Sequence, residues 1–207
     1  SLGRKRLGIV GESGSGKSMT GRAILRLIKN PGILEADHIA LEGKDLLTLS
    51  EKEMQRVRGH KISMIMQDPK FSLNPVMRIG DQICEAYRLH IRASKKEAKK
   101  KTLSMLESVL IRDPERVFSA YPHEMSGGMG QRIMIAMMLI PDPQILIADE
   151  PTSALDVTVQ KEVLEIMDKL VRERGMGLIF ISHDLNVVSA FCDRVLIMYS
   201  GKIVETC

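Results

Sequence analysis

At 207 residues, 44% of them apolar, the chain is long enough for one hydrophobic core with a small lobe attached. A net charge of +4 with 3% aromatic residues argues against a base-stacking surface for nucleic acid. The three cysteines, Cys84, Cys192 and Cys207, are scattered and form no C-x-x-C pair, which reads as reduced thiols without a structural metal. No apolar run approaches the roughly 18 residues of a membrane span.

The first element is a short apolar strand, Leu7–Val10, entered almost directly from Ser1-Leu2-Gly3-Arg4. Gly11-Glu12-Ser13-Gly14-Ser15-Gly16-Lys17-Ser18 follows and fits G-x-x-x-x-G-K-[ST], with helical spacing from Met19 to Ile28. A strand end turning into a helix start offers unpaired N–H groups and a partial positive charge, a ready site for polyphosphate. Lys17 supplies a point charge for the outer phosphates, and the Ser18 hydroxyl is placed to ligate Mg²⁺.

Ile39–Lys44 reads as a strand entering a turn, and Ser50 with Glu53 as a capping box for a helix through Arg58. Ile62–Met66 is a buried strand with Gln67 at its end, and Asp68-Pro69 opens a loop through Asn74-Pro75. One helical stretch is expected from Arg78 to about Leu110. Within it, Lys95, Lys96, Lys99, Lys100 and Lys101 read as a solvated face, with a docking face for an acidic partner or anionic lipid as the alternative. A helix over Pro114–Ala120 is next. Ser126-Gly127-Gly128 then opens another helix, which taken alone reads best as the cap of a buried helix and otherwise as a second anion site.

Ile145–Ala148 is a buried strand running into Asp149-Glu150. Two carboxylates at the end of a core strand need a partner, because desolvating unpaired charge is costly. A Mg²⁺ ion beside the phosphate loop fits: Asp149 would hold the metal, and Glu150 would accept a proton from attacking water. After the turn Pro151–Asp156 comes a helix with Val159, Val163, Ile166, Met167 and Leu170 on one face. Gly177–Ile181 is a buried strand ending at Ser182-His183-Asp184, which places His183 at the nucleotide edge of an α/β sheet. Asp193–Met198 is the last buried strand, and Lys202–Val204 is strand-like. The alternation predicts an α/β fold, a mainly parallel sheet flanked by helices. The helical stretch from about Arg78 to Ala120 interrupts that alternation and is expected to form a separate lobe.

With these motifs in this order the sequence resembles the ATP-binding subunit of ABC transporters over essentially its whole length. The resemblance rests on the phosphate loop 11–18, Gln67, the signature Met125–Met129 followed by Gln131-Arg132, Ile145–Glu150, Ser153–Asp156 and His183. Gln67-Asp68-Pro69 with Ser72-Leu73-Asn74-Pro75, and Tyr121-Pro122-His123, are similar to the oligopeptide, dipeptide and nickel importer branch. The signature departs from the usual pattern at Met125, Met129 and Gly130, while Ser126, Gly127 and Gly128 are intact.

The resemblance implies a P-loop NTPase that hydrolyses ATP with Mg²⁺ to power import, with an ATPase core of residues 1–77 and 141–207 and a helical signature subdomain of residues 78–140. Nucleotide would be held by residues 11–19, including Met19, and metal by Ser18, Gln67 and Asp149. Glu150, His183 and Gln67 would be catalytic. Ser126, Gly127 and Gly128 would act in trans on the nucleotide of a second, identical or related, subunit in a head-to-tail dimer. Transmembrane permeases, a solute-binding protein acting indirectly, and a peripheral place on the cytoplasmic face of the membrane are implied as well. It also implies that the chain is a piece of a longer one carrying an upstream adenine-stacking residue and a continuation past Cys207. A non-transport relative acting on nucleic acid or ribosomes is the alternative. A GTP switch lacks its guanine-reading motif here, and a non-catalytic module is disfavoured by the intact Lys17, Asp149, Glu150 and His183.

Overall fold

The computed structural model of the chain describes residues 5–67 and 72–207; the expected Asp68-Pro69 break and the residues Ser1–Arg4 lie outside them. Long apolar runs form β1 (Arg6–Gly11), β4 (Ile62–Ile65), β5 (Ile145–Asp149), β6 (Gly177–Ser182) and β7 (Arg194–Tyr199). These pair in parallel and β8 (Lys202–Thr206) returns antiparallel, giving the order β4-β5-β6-β1-β7-β8. A parallel sheet needs cover on both faces, and the core divides accordingly. Val10, Leu146, Ala148 and Phe180 belong to one buried cluster, while Ile9, Ile147, Ile179 and Ile181 belong to the other. Neighbours along one strand thus point to opposite layers.

The helices are α1 (Lys17–Ile24), α2 (Glu51–Val57), α3 (Ile79–His90), α4 (Lys95–Ser108), α5 (Pro114–Ser119), α6 (Gly127–Leu139), α7 (Val157–Arg174) and α8 (Leu185–Phe191). α3 packs on α4, α5 and α6, and α6 also reaches β4 and α7. Among the described residues no helix is long and apolar enough to cross a membrane.

Four elements differ from the sequence expectation. The helix after the phosphate loop stops at Ile24 rather than Ile28. Arg26 takes φ 53° there and donates to the carbonyls of Leu46 and Leu49, and Arg58 Nε donates to Leu25 O. The Ile39–Lys44 segment is a hairpin, β2 (Ala40–Leu41) against β3 (Lys44–Asp45). Glu42 and Gly43 at its tip both have positive φ, as a two-residue primed turn requires. The single helix expected after Arg78 is two, because Ser94 and Glu97 form a capping box that starts α4 afresh. Helix α8 was not anticipated; Asp184 caps it by accepting from the N–H groups of Asn186 and Val187.

Candidate nucleotide site

The phosphate loop joins the carboxyl end of β1 to the amino end of α1. Gly14 (φ 82°) and Gly16 (φ 98°) occupy the left-handed region, which a side chain would resist. Gly11 is required for a different reason: a Cβ there would lie 2.2 Å from Met198 O on β7. The turn after β7 also braces the loop, since Gly201 N–H donates to Ser15 O at 3.0 Å. Sequence reading missed this contact because it joins distant parts of the chain. Lys17 is 5% exposed, and its ammonium donates to Gly11 O (2.7 Å) and Glu12 O (2.8 Å). Two of its three protons are spent on positioning, which leaves one for a ligand in the loop. Among the described residues the buried Ser15 hydroxyl has no hydrogen-bond partner.

The strand ends on either side bring the acids to this loop. Ser18 Oγ donates to Asp149 Oδ1 at 2.8 Å. Asp149 is 2% exposed, and burial pushes its carboxyl above the ordinary aspartate range. The Ser18 hydrogen bond opposes that rise, as do the Arg22 and Lys17 charges; Glu150 adds to it. A buried carboxylate beside a serine hydroxyl, with no direct ion pair among the described residues, is a hard-oxygen donor set that fits a small divalent cation such as Mg²⁺.

Glu150 sits one residue on with φ 45°, a conformation held by its N–H to Ile181 O (2.9 Å) and by Ser153 Oγ donating to its carbonyl (3.2 Å). Positive φ in a non-glycine residue costs energy and turns the side chain out of strand register. Glu150 Oε2 thereby meets two groups from neighbouring strand ends, Gln67 Nε2 at 3.4 Å and His183 Nδ1 at 3.4 Å. Ser153 is a further residue the sequence reading did not assign to this site.

Residues 11–18, Gln67, Asp149, Glu150 and His183 therefore meet along the carboxyl ends of β1, β4, β5 and β6. Met19 follows on α1, 49% exposed. Ser126, Gly127 and Gly128 lie elsewhere, at the start of α6, where Ser126 Oγ accepts from Met129 N–H. They line a cavity of about 580 Å³ with the Ala154–Asp156 turn and Arg112 and Arg116. Gly128 is demanded by Val159: a Cβ would stand 2.6 Å from its Cγ1.

The sequence profile described as "ABC transporter" matches residues 3–153. The chain is 55% identical over 201 residues to the oligopeptide transport ATP-binding protein OppD of Bacillus subtilis, covering 97% of this chain and 56% of that one. It is 53% identical over 200 residues to the probable peptide ABC transporter ATP-binding protein y4tR of Sinorhizobium fredii, covering 96% and 60%. The chain thus spans well under two thirds of the length of these curated relatives. Among solved structures, the dimeric post-hydrolysis ATP-binding cassette MJ0796 bound to ADP and Pi superposes with a TM-score of 0.86 at 28% identity, covering 99% of this chain and 85% of that one. The fold is that of a P-loop NTPase, and the chain belongs to the ABC transporter family.

Proposed function

We propose that this chain is the nucleotide-hydrolysing part of the ATP-binding subunit of a peptide importer, with nickel as a related solute class. The observation that carries the reading is the junction of Ser18, Asp149 and Glu150, which links phosphate loop and acids through one 2.8 Å hydrogen bond. The relatives' names, which speak of oligopeptide and peptide transport, support the solute class.

In this reading the N–H groups of residues 11–18 and the Lys17 ammonium bind the β- and γ-phosphates of ATP. Ser18, Asp149 and Gln67 would hold Mg²⁺, which when bound would neutralise charge on the phosphate oxygens. Glu150 orients a water against the γ-phosphorus and takes its proton at the carboxylate. His183 and Gln67 hold the Glu150 carboxylate from two sides, and His183 steadies the γ-phosphate. The cavity beside Ser126, Gly127 and Gly128 receives the γ-phosphate held by a second subunit, identical or related, in a head-to-tail dimer. Hydrolysis then removes the group that bridges the two subunits, and the change in dimer affinity drives a conformational change in transmembrane permeases. Residues 78–140 act as the coupling subdomain between the ATPase core and those permeases. A solute-binding protein delivers the cargo outside, and the ATPase stays peripheral on the cytoplasmic face.

The test is phosphate release by the full-length protein beside its Glu150→Gln variant. Turnover should fall at least about a hundredfold while ATP is still bound and a dimer accumulates. Turnover near that of the unaltered protein would remove Glu150 from this role.

A further inference from the structure

The carbonyls of the phosphate loop are held mostly from within. Gly11 O and Glu12 O accept from the Lys17 ammonium, and Gly16 O accepts from Thr20 N–H (2.9 Å) and Thr20 Oγ1 (3.1 Å) on α1. Ser15 O is the exception. Among the described residues its donor is Gly201 N–H, at 3.0 Å, from the turn between β7 and β8.

The hairpin leaves that donor available. Its ladder closes at Tyr199 and Lys202, so Gly201 N–H falls outside it. Ser200 (φ 45°) and Gly201 (φ 78°) form a two-residue primed turn. Space does not demand the glycine, since a Cβ at Gly201 would meet nothing within 4 Å. The left-handed backbone does. The end of β7 lies against the same stretch of loop. Met198 pairs beside Gly11, and its Sδ is 4.0 Å from Thr20 Oγ1. A Cβ on Gly16 would lie 3.6 Å from Met198 Cε and 3.7 Å from Gly201 Cα.

The Ser15 carbonyl and the Gly16 N–H belong to one planar peptide unit and point in opposite directions. Holding the oxygen toward Gly201 therefore turns the Gly16 hydrogen away from that turn. Among the described residues this N–H meets no backbone acceptor, and no side chain caps α1 at Gly16. It is a donor left for a ligand. Gly16 itself does little to keep the peptide in place, because glycine at φ 98° is free to rotate. A flipped peptide would present a carbonyl oxygen where an anion needs a hydrogen.

We propose that Gly201 is a positioning residue for ATP: by holding Ser15 O, its N–H directs the Gly16 N–H toward the phosphates. The inference rests on the reading of residues 11–18 as the phosphate site.

The test replaces the Gly201 amide by an ester in the full-length protein, through nonsense suppression with glycolic acid, which removes the hydrogen and leaves the turn its glycine-like freedom. ATP binding by calorimetry should weaken about tenfold, as for one hydrogen bond to a charged group. KM for ATP should rise by the same factor while kcat at saturating Mg-ATP stays within about twofold, since the contact serves bound substrate and transition state alike. Gly201→Val, strained at positive φ, should bind ATP as weakly as the ester. Gly201→Asn tolerates that φ and keeps the N–H, so it should bind within about twofold of the unaltered protein. Unchanged ATP affinity in the ester, with only its melting temperature lowered, would overturn the proposal by making the contact merely structural. A lower kcat at unchanged KM would overturn it too, as would equal losses in the Asn and Val variants. Lys17→Ala measured alongside separates the two readings. If it loses ATP and the ester does not, only the role of Gly201 falls; if it binds ATP normally, the phosphate site and this inference fall together.

Discussion

Ser18 Oγ donates to Asp149 Oδ1 at 2.8 Å, joining the first residues of α1 to the last residue of β5. Asp149 is buried there with one neutral partner, and its carboxyl is pushed upward by desolvation. A group whose folded-state pKa is raised costs stability once the pH exceeds its ordinary value of about 4, and that cost is complete above the folded value. Asp149→Asn removes the charge and keeps the shape. It should therefore stabilise the nucleotide-free protein at pH 7 and raise its melting temperature. The same variant should lose most of the further stabilisation that Mg-ATP gives. A melting temperature below that of the unaltered protein would mean that the carboxylate is satisfied without metal.

Lys17 gives a separable prediction. Its ammonium binds Gly11 O and Glu12 O, so it shapes the loop as well as meeting a ligand. Lys17→Ala should abolish measurable ATP binding by calorimetry, a loss of at least about a hundredfold for a charge-assisted contact to phosphate. Lys17→Arg keeps the charge but cannot place a single compact donor between two carbonyls, and should also bind poorly. Unchanged affinity in the Ala variant would refute the assignment of the loop.

The parts of this site legible in the sequence are those set by local pattern. The phosphate loop, the apolar strand runs and the acids after Ala148 each sit within a few residues of the feature that explains them. The early end of α1 was not legible, because it is fixed by hydrogen bonds from Arg26 and Arg58 to distant carbonyls. The need for Gly11 comes from Met198 O, and the outward turn of Glu150 from a positive φ that no residue pattern announces. The start of α4 is a different kind of miss. Its Ser94–Glu97 box has the same form as Ser50–Glu53, but helical spacing on both sides of it reads as one continuous helix.

At the second anion site, Gly128 and Val159 supply a rescue experiment. A Cβ at Gly128 would sit 2.6 Å from Val159 Cγ1, whereas one at Gly127 meets nothing within 4 Å. Gly128→Ala should force α6 away from the first turn of α7, costing about 1–3 kcal/mol as overpacking does. Displacing this turn should also weaken ATP-dependent dimers in gel filtration. Gly127→Ala should leave the melting temperature within about 1 °C of the unaltered protein's, as expected where a substitution meets no neighbour. Adding Val159→Ala to Gly128→Ala should restore most of the lost stability. Failure of that pair to recover would show that the glycine is needed for its backbone and not for the space.

A last prediction concerns pH and lies away from the nucleotide. His90 ends α3 and its ring stacks on His60, which follows α2, with centroids 5.9 Å apart and planes 16° from parallel. A Cβ on Gly59 would fall 2.6 Å from His90 Nε2, so the ring lies against the backbone of that turn, and His60 Nδ1 is buried without a partner. Burial first, and the neighbouring His60 second, hold the His90 imidazole below its ordinary range. The folded protein therefore binds fewer protons at this site than the unfolded chain as pH falls below about 6.5. Stability is lost across that interval until the lower folded value is passed, after which the loss is complete. Denaturation midpoints in urea should thus fall between pH 7.5 and pH 5.5. His90→Gln, which keeps a polar planar group but cannot titrate, should flatten that slope without altering phosphate release at pH 7.5. An identical slope in the variant would assign the acid sensitivity to other groups, and a steeper one would show that His90 favours its charged form in the fold.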